Sequence, residues 1–157
     1  MAEANILLTR IDNRLVHGQV GVQWVGKVRP ALIVMADDDA AQDKIQQQVM
    51  KITADMGHVG IRFFSLQQCV DTINKARADQ TIFLICRNPH GVRVLVEGGV
   101  PIKELCVGNM HVAPGKKVYK DAHVYCDDAD LADFEAIKSH GVKVYIEIAP
   151  GDHKIEL

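Results

Sequence analysis

The sequence predicts an α/β protein with a single doubly wound, mostly parallel β-sheet of about six or seven strands, helices on both faces and room for an antiparallel edge. Two observations carry this. Short apolar runs rich in Val and Ile alternate with longer segments of helical period. No linker, internal repeat or low-complexity stretch interrupts the alternation, so residues 1–157 are expected to form one domain. The balance of 18 Lys plus Arg against 20 Asp plus Glu, with 48% hydrophobic residues, is that of an ordinary soluble chain. A globule of this mass hides roughly 70% of its unfolded surface, so it needs neither disulfide nor structural metal to hold a core.

Taken in order, Ile6 to Ile11 is the first strand. After a polar stretch, Asp12 to Gly18, the four-residue spacing of Val20, Trp24 and Val28 lays them on one face of a short helix that Pro30 ends. Ala31 to Ala36 is the second strand, and Asp37, Asp38 and Asp39 are expected to cap a helix running to about Asp55, before Gly57. Gly60 to Phe64 is the third strand. Ser65 and Gln68 form a capping box for a helix to about Ala78. Thr81 to Cys86 is the fourth strand, Arg87 to Gly91 a loop, and Val92 to Glu97 a short helix stopped by Gly98 and Gly99. Leu105 to Val107 is a short buried strand, Ala113 to Lys120 a loop that can hold an edge strand, and His123 to Cys126 a further strand. Asp127 or Asp128 caps a helix burying Leu131, Phe134 and Ile137, which ends at Gly141 before a last strand, Val142 to Ile148.

The longest apolar runs are far short of the ~20 residues that cross a bilayer, and the first residues carry no secretory pattern. A cytoplasmic location is expected. Near-neutral charge with one Trp, three Tyr and four Phe argues against a nucleic-acid partner. Cys69, Cys86, Cys106 and Cys126 form no C-x-x-C pair and are expected to be reduced and buried.

Ligands of doubly wound sheets bind beyond the carboxyl ends of the strands, which directs attention to Asp12–Gly18, Ala36–Asp39, Arg87–Gly91 and Gly108–His111. The first of these joins an acid, a permanent cation and an imidazole within six residues. Backbone N–H groups from Gly18 and Gln19 onward would face an anion held near His17, and Arg14 could fork two phosphate oxygens. Asp12 could fix the tautomer of His17 through one ring nitrogen and leave the other as a nucleophile. By physics alone this is a site for a transferable anion on histidine. A plainer alternative has Asp12 capping the helix, Arg14 paired elsewhere and His17 in a partly exposed loop. Two apolar residues, Leu15 and Val16, anchoring the imidazole just before a glycine favour the first.

The run Arg10-Ile11-Asp12-Asn13-Arg14-Leu15-Val16-His17-Gly18-Gln19-Val20, with Trp24 following, closely resembles the signature of the IIB components of the mannose/sorbose-type sugar phosphotransferase system. Asp38, Ala41 and Asp43 resemble that family's segment after the second strand, and the resemblance covers essentially the whole chain. Asn13 stands where an acid is frequent, and Asp55-Met56-Gly57 replaces a proline-bearing turn. The resemblance implies that His17 accepts a phosphoryl group from the phosphohistidine of a IIA partner and passes it to a sugar entering through membrane IIC and IID partners. That is the work of a protein-N(π)-phosphohistidine–sugar phosphotransferase component, held at the inner face of the membrane through IIC and IID. Arg14 and the turn through Gly18 and Gln19 would stabilise the phosphoryl group, and Asp12 would orient the imidazole or accept the sugar's proton. The resemblance leans to the amino-sugar members serving N-acetylgalactosamine or galactosamine. It implies no cofactor, leaves homo-oligomerisation open, and has as its rival a non-catalytic phosphate-sensing or anion-binding module. A nucleotide-binding subunit is a third, disfavoured class.

Other motifs fail on spacing. Lys117 stands where a Walker loop needs Ser or Thr, and Gly18, Gly21 and Gly26 do not make a dinucleotide fingerprint. Cys86 and Arg93 lie one residue too far apart for a cysteine-phosphatase loop, and the other histidines make no tight metal cluster. Asn109, His111, Arg87 and Asn88 lie beyond strand ends and are candidates to line the pocket.

Overall fold

The computed structural model describes residues 3–157. Its main sheet has seven strands in the order β3-β2-β4-β1-β5-β8-β9. These are β1 (Ile6–Asp12), β2 (Leu32–Ala36), β3 (Gly60–Phe64), β4 (Ile82–Cys86), β5 (Glu104–Asn109), β8 (Lys143–Ile146) and β9 (Ile155–Glu156). All pair in parallel except β8 with β9, which supplies the antiparallel edge. The class expected from sequence is therefore the one observed.

Strand alternation divides the core in two. Phe83, Ile85, Cys106, Ile33 and Met35 pack on one face with Trp24, with Val25 of α1 (Val25–Val28) and with Met50 and Ala54 of α2 (Lys44–Met56). Leu84, Cys86, Leu105, Val107 and Val144 pack on the other with residues of α3 (Leu66–Thr72), α4 (Pro89–Glu97) and α5 (Asp128–Ser139). The chain steps outward from β1 to β2 and β3, then back to β4 and across to β5 and β8. With right-handed crossovers, reversing the direction moves the helices to the opposite face. Strand β1 thus sends its helix to one face while its neighbours β4 and β5 send theirs to the other, which opens a crevice above its carboxyl end.

Several boundaries differ from expectation for local reasons. The segment after β1 begins with a π-helical turn, Gln19–Trp24, before α1, a distortion that marks functional sites. The three aspartates after β2 do not cap α2; Asp43 does, accepting from the Gln46 N–H. Asp37 instead closes a turn by accepting from the Ala40 N–H and binds Arg87, while Asp38 accepts the Leu66 N–H at the start of α3. The Ser65–Gln68 capping box forms, but α3 stops at Thr72 and continues only as a 3-10 turn, Ile73–Lys75. Helix α4 begins earlier than expected, because Asn88 caps it and Pro89 fits its first position. The His123–Cys126 run belongs to β7 (Asp121–Cys126), which forms a separate hairpin with β6 (Lys117–Tyr119) and meets the main sheet only through the Met110–Val124 bridge. All four cysteines are buried. Helix α2 carries an outward row of exposed apolar side chains, Ile45, Val49, Ile52 and Met56.

Candidate functional site

Asp12 ends β1 on the face that also holds Arg10 and Trp24, since residues two apart in a strand share a side. The chain then turns sharply. The Leu15 N–H donates to the Asp12 carbonyl, and Leu15 adopts φ 64°, a left-handed conformation costly for a branched side chain. Burial of the Leu15 side chain, which is 1% exposed, offsets that strain. Val16 is buried beside it. The pair anchors the loop so that His17 emerges at its rim with 26% of its side chain exposed.

The loop converges on one carboxylate. Asp12 has no solvent exposure; its Oδ1 accepts from the Arg14 backbone N–H at 3.0 Å and from Arg14 Nε at 3.0 Å. Its Oδ2 accepts from an Arg14 terminal nitrogen at 2.9 Å and faces His17 Nε2 at 3.2 Å. Burial opposes ionisation of Asp12, but the hydrogen bonds from His17 and Arg14 overcome it and hold the carboxyl below its ordinary value. The plainer alternative, with Asp12 as a helix cap and Arg14 paired elsewhere, is not what forms.

The imidazole is oriented at both nitrogens. An ionised carboxylate can only accept, so Nε2 must carry a proton; the Gln19 N–H, 3.3 Å from Nδ1, can only donate, so Nδ1 must present a lone pair. The neutral Nε2–H tautomer satisfies both neighbours. Nδ1 is left as the basic, nucleophilic nitrogen. Gln19 also accepts a 2.8 Å bond from Arg14 through its side-chain oxygen, tying the cation to the π-helical turn. At Gly18 an added Cβ would meet nothing within 4 Å, so packing does not demand glycine there.

Of the remaining candidates, Asn109 is buried and donates to the Asn13 side chain at 2.8 Å, while its carbonyl takes the Asn13 N–H, so it braces the loop. Arg87 and His111 line an adjoining cleft of about 310 Å³ together with Asn13, Asn88, Met110 and Lys116. Arg87 is held there by a two-nitrogen contact with Asp37.

Sequence reasoning assigned no role to Arg10. Its guanidinium is completely buried, lies 4.4 Å over the Trp24 ring, and donates to the carbonyls of Glu147 and Ile148 at 2.7 Å each and to Cys106 Sγ at 3.1 Å. Gly108 is its other wall, for a Cβ there would stand 2.1 Å from Arg10 Cζ. Trp24 Nε1 also donates to the Ile148 carbonyl. The signal was available: an arginine inside an otherwise apolar strand, two residues before the site aspartate.

The structure is a doubly wound α/β fold with a buried carboxylate, a forked arginine and an oriented, partly exposed imidazole gathered at its switch point. Comparison with known proteins places it further. The family model described as "PTS system sorbose subfamily IIB component" matches residues 6–157, and the chain belongs to that family. It is 52% identical over 157 residues to the N-acetylgalactosamine-specific phosphotransferase enzyme IIB component 1 of Escherichia coli K12, covering 100% of this chain and 99% of that protein. It is 32% identical to the sorbose-specific EIIB component of Klebsiella pneumoniae, covering 97% and 92% of the two chains. The crystal structure of the E. coli N-acetylgalactosamine-specific IIB component 1 superposes with a TM-score of 0.94 at 53% identity, over 98% of this chain and 99% of that one. The protein is thus a IIB component of the sugar phosphotransferase system. Among the described residues no helix is long and apolar enough to cross a membrane.

Proposed function

We propose that the protein is a phosphocarrier in which His17 Nδ1 accepts a phosphoryl group from the phosphohistidine of a IIA protein and delivers it to a sugar at the membrane IIC and IID proteins. The observation that carries this is the pairing of Asp12 with Nε2 and of the Gln19 N–H with Nδ1, which fixes Nδ1 as the nitrogen with the lone pair and leaves only one long 3.3 Å backbone contact to be displaced when it attacks.

In the first transfer the Nδ1 lone pair forms a bond to phosphorus, and the donor's P–N bond breaks with its electron pair returning to the donor ring. The His17 ring becomes positively charged while Nε2 keeps its proton, so the Asp12 carboxylate is placed to stabilise the charge that develops. Arg14 turns its fork toward the phosphoryl oxygens, and the Gln19 N–H, freed from Nδ1, offers a further donor. In the second transfer a sugar hydroxyl attacks phosphorus, the P–N pair returns to Nδ1, and the hydroxyl proton passes to an oxygen of the transferred phosphoryl group and from there to water. Asp12 has both oxygens engaged and no exposed surface, which supports its orienting role over direct acceptance of the sugar's proton.

The apolar row Ile45, Val49, Ile52 and Met56, with Val22 just beyond His17, gives protein partners a hydrophobic footing beside the site, and the Arg87–His111 cleft gives a polar one. The sugar is of the N-acetylgalactosamine or galactosamine class, a reading supported by the 52% identity to a component specific for N-acetylgalactosamine. The protein works in the cytoplasm against the inner face of the membrane.

The test is phosphoryl transfer from phosphoenolpyruvate through the general phosphotransferase proteins and a cognate IIA, read by intact mass under alkaline conditions. Wild type gains one phosphoryl group and His17→Gln gains none. Label on both moves the acceptor elsewhere. Label on neither, with a competent donor, leaves a reversible anion-binding module as the better reading.

A further inference from the structure

The carrier mechanism leaves a charge unaccounted for. In the resting site Asp12 is held by His17 Nε2 and by the two-pronged contact of Arg14, with its Nε on one oxygen and a terminal nitrogen on the other. A fork turned onto a phosphoryl group comes off the carboxylate. Its remaining mobile cation is the charged His17 ring itself, and a fully buried carboxyl facing that ring's Nε2–H is drawn to take its proton, and so to lose the charge that balances the ring, unless a second cation holds it ionised.

One permanent cation cannot leave. Arg10 is completely buried, sandwiched between Trp24 and Gly108, and tied to two main-chain carbonyls. No carboxylate is hydrogen-bonded to it among the described residues, and its Nε has no partner at all. The one carboxylate within ion-pair distance is Asp12, whose Oδ2 lies 3.7 Å from an Arg10 terminal nitrogen. That is too long for a hydrogen bond but short enough for a strong Coulomb interaction in a buried setting. The other charged and titratable groups nearby are spoken for: Glu147 receives Lys27 and the Gly151 N–H, Lys27 lies 5.4 Å from the Trp24 ring, and burial pushes the Cys106 thiol up to about 11 so that it stays neutral.

We propose that Arg10 is a positioning residue that keeps Asp12 ionised and turned to His17 Nε2 during the part of the cycle in which Arg14 holds the phosphoryl group. It acts through Asp12 and touches neither substrate nor phosphorus. The proposal rests on the phosphocarrier reading. It divides labour between two arginines: Arg14, with 35% of its side chain exposed, borders solvent, and Arg10 is fully buried.

The test follows the carboxyl of Asp12 by carbon NMR in carboxyl-labelled protein, before and after phosphorylation, across roughly pH 5 to 8. Phosphorylation of His17 is verified independently by phosphorus NMR. Wild-type Asp12 stays ionised throughout in both forms. In Arg10→Met it protonates within this range in the phosphorylated form, and transfer slows about 10-fold at the acidic end and recovers as pH rises. Arg10→Lys, which restores the charge, restores the ionised carboxyl. Protonation of Asp12 on phosphorylation of the wild type overturns the proposal, as does an Arg10→Met protein with unaltered titration and pH profile. If Arg10→Met does not fold, Arg10→Gln, which can still donate to the buried main-chain carbonyls but carries no charge, makes the same comparison. A wild type that forms no phosphohistidine on His17 refutes the carrier reading and this proposal with it; phosphohistidine formed together with a protonated Asp12 refutes this proposal only.

Discussion

Substituting Gly108→Ala probes the wall behind the site without touching any reacting group. The new Cβ would stand 2.1 Å from Cζ and a terminal nitrogen of Arg10, and restoring an ordinary contact of 3.4 Å requires the guanidinium to retreat by about 1.3 Å. Trp24, 4.4 Å away on the opposite face, blocks the retreat. The guanidinium must therefore slide sideways, which breaks the 2.7 Å bonds to the carbonyls of Glu147 and Ile148. Hydrogen bonds to a charged group contribute about 1.5–3 kcal/mol each, so the expected loss of stability from the two is about 3–6 kcal/mol. Urea unfolding followed by fluorescence reads it directly, because Trp24 is the single tryptophan and reports on this stack. Gly26→Ala is the control: its Cβ would meet nothing within 4 Å inside α1, and the change should stabilise by about 0.5–1 kcal/mol. A Gly108→Ala protein within about 0.5 kcal/mol of wild type would refute the reasoning.

Three further outcomes are expected. Arg14→Lys replaces a planar fork by a point charge and slows phosphoryl transfer about 100-fold in a stopped-flow assay; with 35% of the side chain exposed, stability changes by less than about 1 kcal/mol. Asp12 has a folded-state pKa below that of the unfolded chain, so its contribution to stability is whole above about pH 4 and is lost as pH falls through the folded value. Acid titration of unfolding free energy should accordingly be shallower in Asp12→Asn than in wild type. Burial raises the thiols of Cys69 and Cys126 to about 12 and that of Cys106 to about 11. Thiol reagents at about pH 8 should leave the native protein nearly unlabelled and modify all four cysteines after denaturation, which counting by mass spectrometry checks.

The elements themselves were legible in the chain because they are set by local physics. Alternating Ile, Val and Leu runs give buried parallel strands, and Ser65 with Gln68 closes its own capping box whatever surrounds it. The site loop was legible for the same reason: Asp12, Arg14 and His17 lie within six residues, so their meeting needs only one turn. Where a side chain had two partners to choose from, the sequence misled. Asp37, Asp38 and Asp39 look like the cap of α2, but Arg87, 50 residues away, claims Asp37, and the start of α3 claims Asp38. The run ending at Cys126 reads as one more strand of the sheet, yet pairing with β6 draws it into a separate hairpin.

The sequence by itself determined the sheet, its helices and the residues of the loop, since each depends on neighbours a few positions apart. Only the tertiary structure decided how that loop is held. The left-handed Leu15 is tolerated because its side chain is buried, and nothing in its identity announces it. Arg10 is fixed by Gly108 on β5, Trp24 at the end of the π-helical turn and the carbonyls of residues 147 and 148 beyond β8, elements as far as 138 positions distant. Contacts of that separation exist only once the strands are in register. A buried charge keeps its ionisation through what surrounds it in space.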